Sequence, residues 1–415
     1  MITLWKSANE VSTTVSEPDK DTRQTEKGIC TCPSKSRETG CVSGPSAKHC
    51  AAIQHSGSID RMNLGLIGLP QSGKKTIFQL LTGLSADQAP RREGIARAMA
   101  SVRDPRVDTL SAMYTPKRTK YAEIEVALPP DVQPDTARSA QWIEPLRNVD
   151  ALLHVVRTFE AADVFHVKGG VDPERDLALV ETELLLADLA LVETRLERIE
   201  KESRHKSDHG DRQKPVLEKC RDHLEQSNSL RTLALSKEEH DLIVSLQFLT
   251  LKPQVVAFNT GDNIHEASRA LDPLAAKVKA QGGTVVFLSA SIEAEIKELD
   301  QAERALFMQD LALTEPAAHR LSRAIYECLG LISFFTVGPD EVRAWSVRRG
   351  AKAPEAAGKI HSDLERGFIR ADTVAYEKLV EAGSEKAARE ANAYRLNGKD
   401  YEVRDGDVIE IRFNV

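Results

Sequence analysis

Gly68-Leu69-Pro70-Gln71-Ser72-Gly73-Lys74-Lys75-Thr76 is the stretch that decides the fold. It follows the phosphate-binding pattern G-x-x-x-x-G-K-[ST] at Gly68, Gly73 and Lys74. It departs from the pattern at Lys75, where a Ser or Thr hydroxyl ordinarily ligates Mg²⁺. The flanks fit. Asn63–Leu69 is a short apolar run ending past a glycine, as a buried parallel strand requires. Thr76–Leu84 follows with Ile77, Leu80 and Leu81 at helical spacing. Strand, glycine-rich turn and helix aim backbone N–H groups and a helix N-terminus at one anion. Lys74 then reaches the terminal phosphates as a point charge. The plain alternative, a glycine turn before an ordinary helix, explains none of this agreement. Residues Gly68 through Thr76 are therefore read as nucleotide-binding, with Lys75 setting hydrolysis in question.

The chain has 415 residues, enough for two or three domains that each bury a core. Its formal net charge of −7 gives no global basic character, so any contact with nucleic acid must come from a local patch. Nothing points to sequence-specific DNA binding. No uncharged apolar run approaches the ~18–20 residues that span a bilayer, and Met1–Glu10 lacks the apolar core of a signal peptide. A cytoplasmic protein without membrane contact is expected. Cys30, Cys32, Cys41 and Cys50 crowd the first 50 residues in a C-x-C-x8-C-x8-C spacing that is not a common zinc pattern. The polar sequence around them reads as disorder. Residues 1–61 are thus an extension, or a start codon placed too early, since Met62 stands directly before the first strand.

Beyond the loop, Ser85–Arg97 is polar and Tyr121–Leu128 alternates as a strand does. Ala151–Phe159, Gln254–Asn259 and Thr284–Ala290 are apolar strands, and parallel strands separated by helical segments argue for a doubly wound α/β domain. A helical insertion interrupts it. From Asp176 to about Ser203 there is no Gly or Pro, and Leu185, Leu189, Val192, Leu196 and Ile199 repeat at coiled-coil spacing. His205–Pro215 reads as a turn. Val216, Leu217, Cys220 and Leu224 mark a second helix, and Lys237–Leu249 a third. The predicted result is an antiparallel helical hairpin, serving either as scaffold or as a partner surface. Near the C-terminus, Leu331–Val337, Val342–Val347, Ala393–Leu396 and Val408–Val415 look like strands, with a helix over Pro354–Arg366. Turn signals at Asn397-Gly398 and Asp405-Gly406-Asp407 complete a compact α+β module of β-grasp type.

At these residues the chain from Met62 to Val415, about 85% of its length, resembles the YchF-type, Obg-related P-loop ATPases. The resemblance rests on Phe334-Phe335-Thr336-Val337-Gly338-Pro339-Asp340-Glu341-Val342-Arg343-Ala344-Trp345 and on Lys352-Ala353-Pro354-Glu355-Ala356-Ala357-Gly358. It also rests on Gly367-Phe368-Ile369-Arg370-Ala371 and Arg412-Phe413-Asn414-Val415, with Val149–Arg157 and Ser289–Glu295 in support. It implies a P-loop G domain (62–170 and 250–325), an inserted helical coiled coil (171–249) and a C-terminal TGS-like domain (329–415). It further implies ATP binding, often of relaxed specificity, and association with ribosomes or RNA through the TGS domain and the helical hairpin.

Two departures from the family fall around one metal ion. Lys75 replaces the hydroxyl, and Thr76 lies one residue on, a rotation of about 100° along a helix. The family's Asp-x-Ala-Gly motif, in register, is Leu128-Pro129-Pro130-Asp131 here. The prolines lack the N–H that would meet a γ-phosphate. Mg²⁺ ligation is placed in doubt, and with it most of the acceleration of phosphoryl transfer. A standard ATPase survives this reading only if another carboxylate, such as Asp131, reaches the metal. Lys75 offers a different route, its own charge on the β- and γ-phosphates.

Asn259-Thr260-Gly261-Asp262 aligns with the Asn-Lys-x-Asp of GTPases, where a carboxylate accepts from guanine. Asp262 keeps GTP open beside ATP, while Thr260 lacks the lysine of that motif. Ser289-Ala290-Ser291 is expected to bring backbone N–H groups to the base. In the C-terminal module Arg343, Arg348, Arg349, Lys352, Lys359, Arg366 and Arg370 form a basic cluster, read equally as an RNA phosphate patch or a solvated surface. His154, Trp345, Phe334 and Phe335 read as core. Two functions stand: a nucleotide-binding regulator on ribosomes or RNA with impaired hydrolysis, or a scaffold without nucleotide chemistry that binds partners through the hairpin and the TGS-like domain.

Overall fold

The apolar runs on either side of Gly68–Thr76 build one sheet. The computed structural model describes residues 62–132, 139–161, 164–202, 208–311, 313 and 315–414. Its first eight strands are β1 (Asn63–Ile67), β2 (Arg91–Arg92), β3 (Ile95–Val102), β4 (Arg118–Lys120), β5 (Ala122–Leu128), β6 (Ala151–Arg157), β7 (Gln254–Asn259) and β8 (Thr284–Leu288). Then come β9 (Leu331–Thr336), β10 (Glu341–Arg348), β11 (Phe368–Ala375), β12 (Arg395–Asn397) and β13 (Asp407–Phe413). The first sheet runs β2-β3-β5-β1-β6-β7-β8, parallel from β5 to β8 and antiparallel at β2 and β3. Every residue of β6 and β7 is buried, as strands covered on both faces must be. This is the expected doubly wound α/β body. Sequence reading passes over β3. Its buried face is Ala96, Ala98, Ala100 and Val102, three of them too small to mark a strand by pattern, yet it pairs with β5 from Ala96 opposite Leu128 to Val102 opposite Ala122.

The helices that matter are α1 (Lys74–Thr82), α2 (Pro105–Tyr114), α3 (Ser139–Arg147), α4 (Pro173–Glu202), α5 (Asp208–Glu225) and α6 (Lys237–Ile243). The insertion is α4 packed on α5. Val192, Leu196 and Ile199 share one buried cluster with Val216, Leu217, Cys220 and Leu224, as predicted, whereas Leu185 and Leu189 are only partly covered. The turn expected over His205–Pro215 is overturned from Asp208 on, where Gly210 and Pro215 lie inside α5. Burial of the next turn against α4 overrides their weak helical propensity. The third helix ends at Ile243, in a short 3-10 turn closed by Gln247 at φ 51°.

The C-terminal strands form a second sheet in the order β12-β11-β13-β9-β10-β4. Its edge strand β4 comes from the body and pairs in parallel with β10. The predicted strands are present with shifted ends, and β11, unmarked by alternation, lies between β12 and β13. The helix expected over Pro354–Arg366 breaks at His361, whose extended backbone separates Ala353–Ile360 from Ser362–Arg366. Phe334 and Phe335 are fully buried, and Phe335 joins a cluster that includes Val107 and Leu110 of α2. Arg106 holds the same junction. It pairs with Asp405 at 2.8 Å and lies 5.1 Å above the Phe335 ring. Cys30, Cys32, Cys41, Cys50 and the reading of residues 1–61 lie outside the described residues. No described helix is long and apolar enough to cross a membrane.

Buried charges fix the insertion to the body. Asp188 of α4, fully buried, accepts from Leu249 N, Thr250 N and Thr250 Oγ1 at 2.7–3.0 Å. Glu181 of α4 meets Arg231 at 3.0 Å and Gln254 of β7. His154, buried in β6, has its Nδ1 3.9 Å from the same carboxylate. Burial alone would raise the Glu181 pKa, but His154, Arg231 and Gln254 outweigh it and hold the carboxyl at about 2, against 4.5 ordinarily. A depressed carboxylate stabilises the fold fully above its unfolded pKa and loses that contribution as pH falls through the folded one. Glu181→Gln is therefore expected to lower unfolding free energy by about 3 kcal/mol at pH 7. In urea titrations the gap to the unsubstituted protein should shrink between pH 4.5 and about 2.

Candidate functional site

The Gly68–Thr76 loop turns where only glycine fits. Gly68 has φ 145° and Gly73 φ 97°, and a Cβ on Gly73 would collide with the Asn259 amide. Gly73 is also the N-cap of α1, with no side chain capping the helix, so its first N–H groups face outward. Two lysines begin α1, against the sense of the helix dipole. That arrangement costs stability unless an anion is drawn to the same end.

The loop opens on a cleft of about 950 Å³ at the C-terminal ends of the parallel strands. Gln71, Gly73, Lys74, Lys75 and Thr76 line it, whereas Gly68, Leu69, Pro70 and Ser72 form the back of the turn. Leu69, Pro70 and Ser72 face a small space toward His154 and the buried His166–Asp176 pair, 2.8 Å apart. Across the cleft stand Asn259, Asp262, Ala290 and Ser291. Ser289 does not line it; it is buried and caps the helix Ala290–Glu298, accepting from Ile292 N.

Asn259 ties the two sides together. Its Nδ2 donates to Ser72 O at 3.0 Å and its Oδ1 accepts from Ala290 N at 2.9 Å. The Ala290 N–H expected to face a base is thus spent on Asn259. Thr260, where GTPases carry lysine, turns inward, its N–H donating to Leu288 O at 2.7 Å. Asp262 is exposed on the cleft wall. Thr158, Phe159, Glu160 and Glu266, which no motif marks, also line the cleft. Their signal was position alone, at the ends of β6 and after β7.

Lys74 is the buried charge of the site. Its Nζ donates to Gly68 O at 2.9 Å and Leu69 O at 2.5 Å, and pairs with Asp131 Oδ1 at 2.9 Å. Burial pulls its pKa below the usual lysine range, and Asp131 only partly offsets that. Asp131, considered above as a metal ligand, is therefore engaged by the lysine. Lys75 is exposed and faces the same cleft. These side chains do not fit an ordinary Mg²⁺ site. An ammonium, Lys75, stands where the phosphate-loop pattern has a hydroxyl, and the near carboxylate, Asp131, is already paired with Lys74. The described residues contain no group of three or more His, Cys, Asp or Glu able to hold a metal.

Over most of its length the chain is similar to known proteins. Residues 331–414 match the model of the family YchF-GTPase_C, described as a protein of unknown function (DUF933). The chain is 40% identical over 362 residues to the Ribosome-binding ATPase YchF of Escherichia coli O157:H7, covering 85% of this chain and 99% of that protein. It is 36% identical over 369 residues to the Ribosome-binding ATPase YchF of Bacillus subtilis (strain 168), covering 85% and 100%. The solved structure of the Schizosaccharomyces pombe YchF GTPase superposes with a TM-score of 0.74 at 28% identity, covering 85% of this chain and 98% of that one.

Asn259 is buried, and both partners of its amide are backbone groups. Asn259→Ala orphans a buried carbonyl and a buried N–H, and should cost about 2–4 kcal/mol in urea unfolding. Asp262→Ala, on the exposed wall, should change stability by less than about 0.5 kcal/mol.

Proposed function

The chain belongs to the YchF family, and from that premise we propose that it binds a purine nucleotide, ATP or GTP, in the Gly68–Thr76 cleft, with impaired Mg²⁺-dependent hydrolysis, on or near the ribosome. The observation that carries the reading is the cleft itself. A glycine turn, an uncapped helix start and a buried lysine face an exposed Asp262 across a strap made by Asn259. Phosphates would lie at Gly73–Thr76 and the base near Asp262. Thr260, turned inward, supplies no lysine stem for a guanine, so Asp262 is the group that would decide between the bases. The division into a G domain (62–170 and 250–325), an inserted hairpin (171–249) and a TGS-like module (329–415) is part of the same proposal.

Ribosome association is inferred from what the relatives in Escherichia coli and Bacillus subtilis are named for. The basic cluster gives it limited support. Arg348 pairs with Asp150, Lys352 with Asp400 and Arg366 with Asp363, while Arg343 lies 3.9 Å above the Trp345 ring. Charge already paired within the molecule is less available to phosphate. The scaffold alternative keeps one observation in its favour, a Lys74 whose donors are all engaged.

Lys75→Ser restores the hydroxyl position and should raise Mg²⁺-dependent ATP or GTP turnover by tenfold or more, on the order of what one restored metal contact contributes. Binding by the unsubstituted protein should persist in excess chelator. Absence of nucleotide binding in both forms would leave only the scaffold. Co-sedimentation with ribosomes should weaken steeply as salt rises; no association at low salt would remove the ribosome from the account.

A further inference from the structure

An ammonium has three N–H donors and no acceptor. Those of Lys74 meet Gly68 O, Leu69 O and Asp131 Oδ1, so no donor is left for a phosphate. Two of the three acceptors are carbonyls of the loop that forms the cradle. The third is a side chain, 45% exposed, and is the one able to leave. Its placement is built in. Val132, the next residue, is buried beside Trp142 and Leu146 of α3, and its N–H points at Gly68 O. Asp131 is thus held at the mouth of the loop by a buried neighbour.

We propose that Asp131 is a specificity-determining residue that competes with the terminal phosphate of a nucleotide for Lys74, and so disfavours nucleoside triphosphates relative to diphosphates. The inference rests on the nucleotide reading above. A β-phosphate can be held by the N–H groups at the start of α1 while Lys74 stays with Asp131. A γ-phosphate needs the lysine, and brings its own negative charge against the carboxylate. Binding a γ-phosphate therefore breaks the Lys74–Asp131 pair, at a cost a diphosphate does not bear. Lys75, at the same cleft, offers a second cation but does not release the first.

The test uses the full chain, with Asp131→Asn and Asp131→Gly. Asparagine keeps the shape without the charge, and glycine removes both. ADP, GDP and the non-hydrolysable triphosphates AMP-PNP and GMP-PNP are titrated in chelator, with thermal melts confirming that each form folds. The unsubstituted protein should bind a diphosphate more tightly than its triphosphate. Both substitutions should tighten the triphosphate by about tenfold and the diphosphate by less than about threefold, as loss of one like-charge contact predicts. Equal tightening of both classes, no change, or weaker triphosphate binding would overturn the inference and leave the nucleotide reading intact. Failure of all three forms to bind any nucleotide would remove both.

Discussion

The site depends on one buried ammonium. Lys74 is nearly inaccessible, and burying an unpaired charge is among the costliest things a fold can do. The loop meets that cost by turning two carbonyls, Gly68 O and Leu69 O, onto the lysine. The turn is open only to glycine at residues 68 and 73, and Asn259 then pins it to the far side of the cleft. In this chain a carboxylate completes the set. The cation proposed to meet a phosphate thus has an internal partner.

The lysine also has a mechanical setting. Asp131 follows β5, and β5 follows β4, the strand that the body lends to the C-terminal sheet. The segment that touches Lys74 is thus continuous with a strand of the C-terminal sheet, the same sheet that Arg106 of α2 reaches through Asp405 and Phe335. On the other flank, α4 is fixed to the body through Asp188 and Glu181, and carries Asp176 against His166 behind the loop. The cleft sits between two attachments, one to the C-terminal sheet and one to the inserted helices.

Much of this was legible in the residues. Gly68, Gly73 and Lys74 mark the turn, long apolar runs mark β6 and β7, and heptad spacing marks α4. What escaped has physical causes. The alanines of β3 carry no alternating bulk, and β4 is a strand only because β10 lies beside it. Gly210 and Pro215 signal a turn locally, but the burial that follows keeps them helical. In the site, Asn259 was legible as a motif but not as a strap, since both partners of its amide lie far off in sequence. The contact of Asp131 to Lys74 at 2.9 Å is not legible either, because it depends on Val132 being buried.

A crystal structure of the chain with GMP-PNP or AMP-PNP bound tests the central claim most directly. The account predicts phosphates on the N–H groups of Gly73–Thr76, with Lys74 Nζ transferred from Asp131 to a phosphate oxygen and the Asn259 contacts to Ser72 and Ala290 unchanged. A nucleotide bound elsewhere, or one seated in the loop with the Lys74–Asp131 pair intact beside a γ-phosphate, would contradict it.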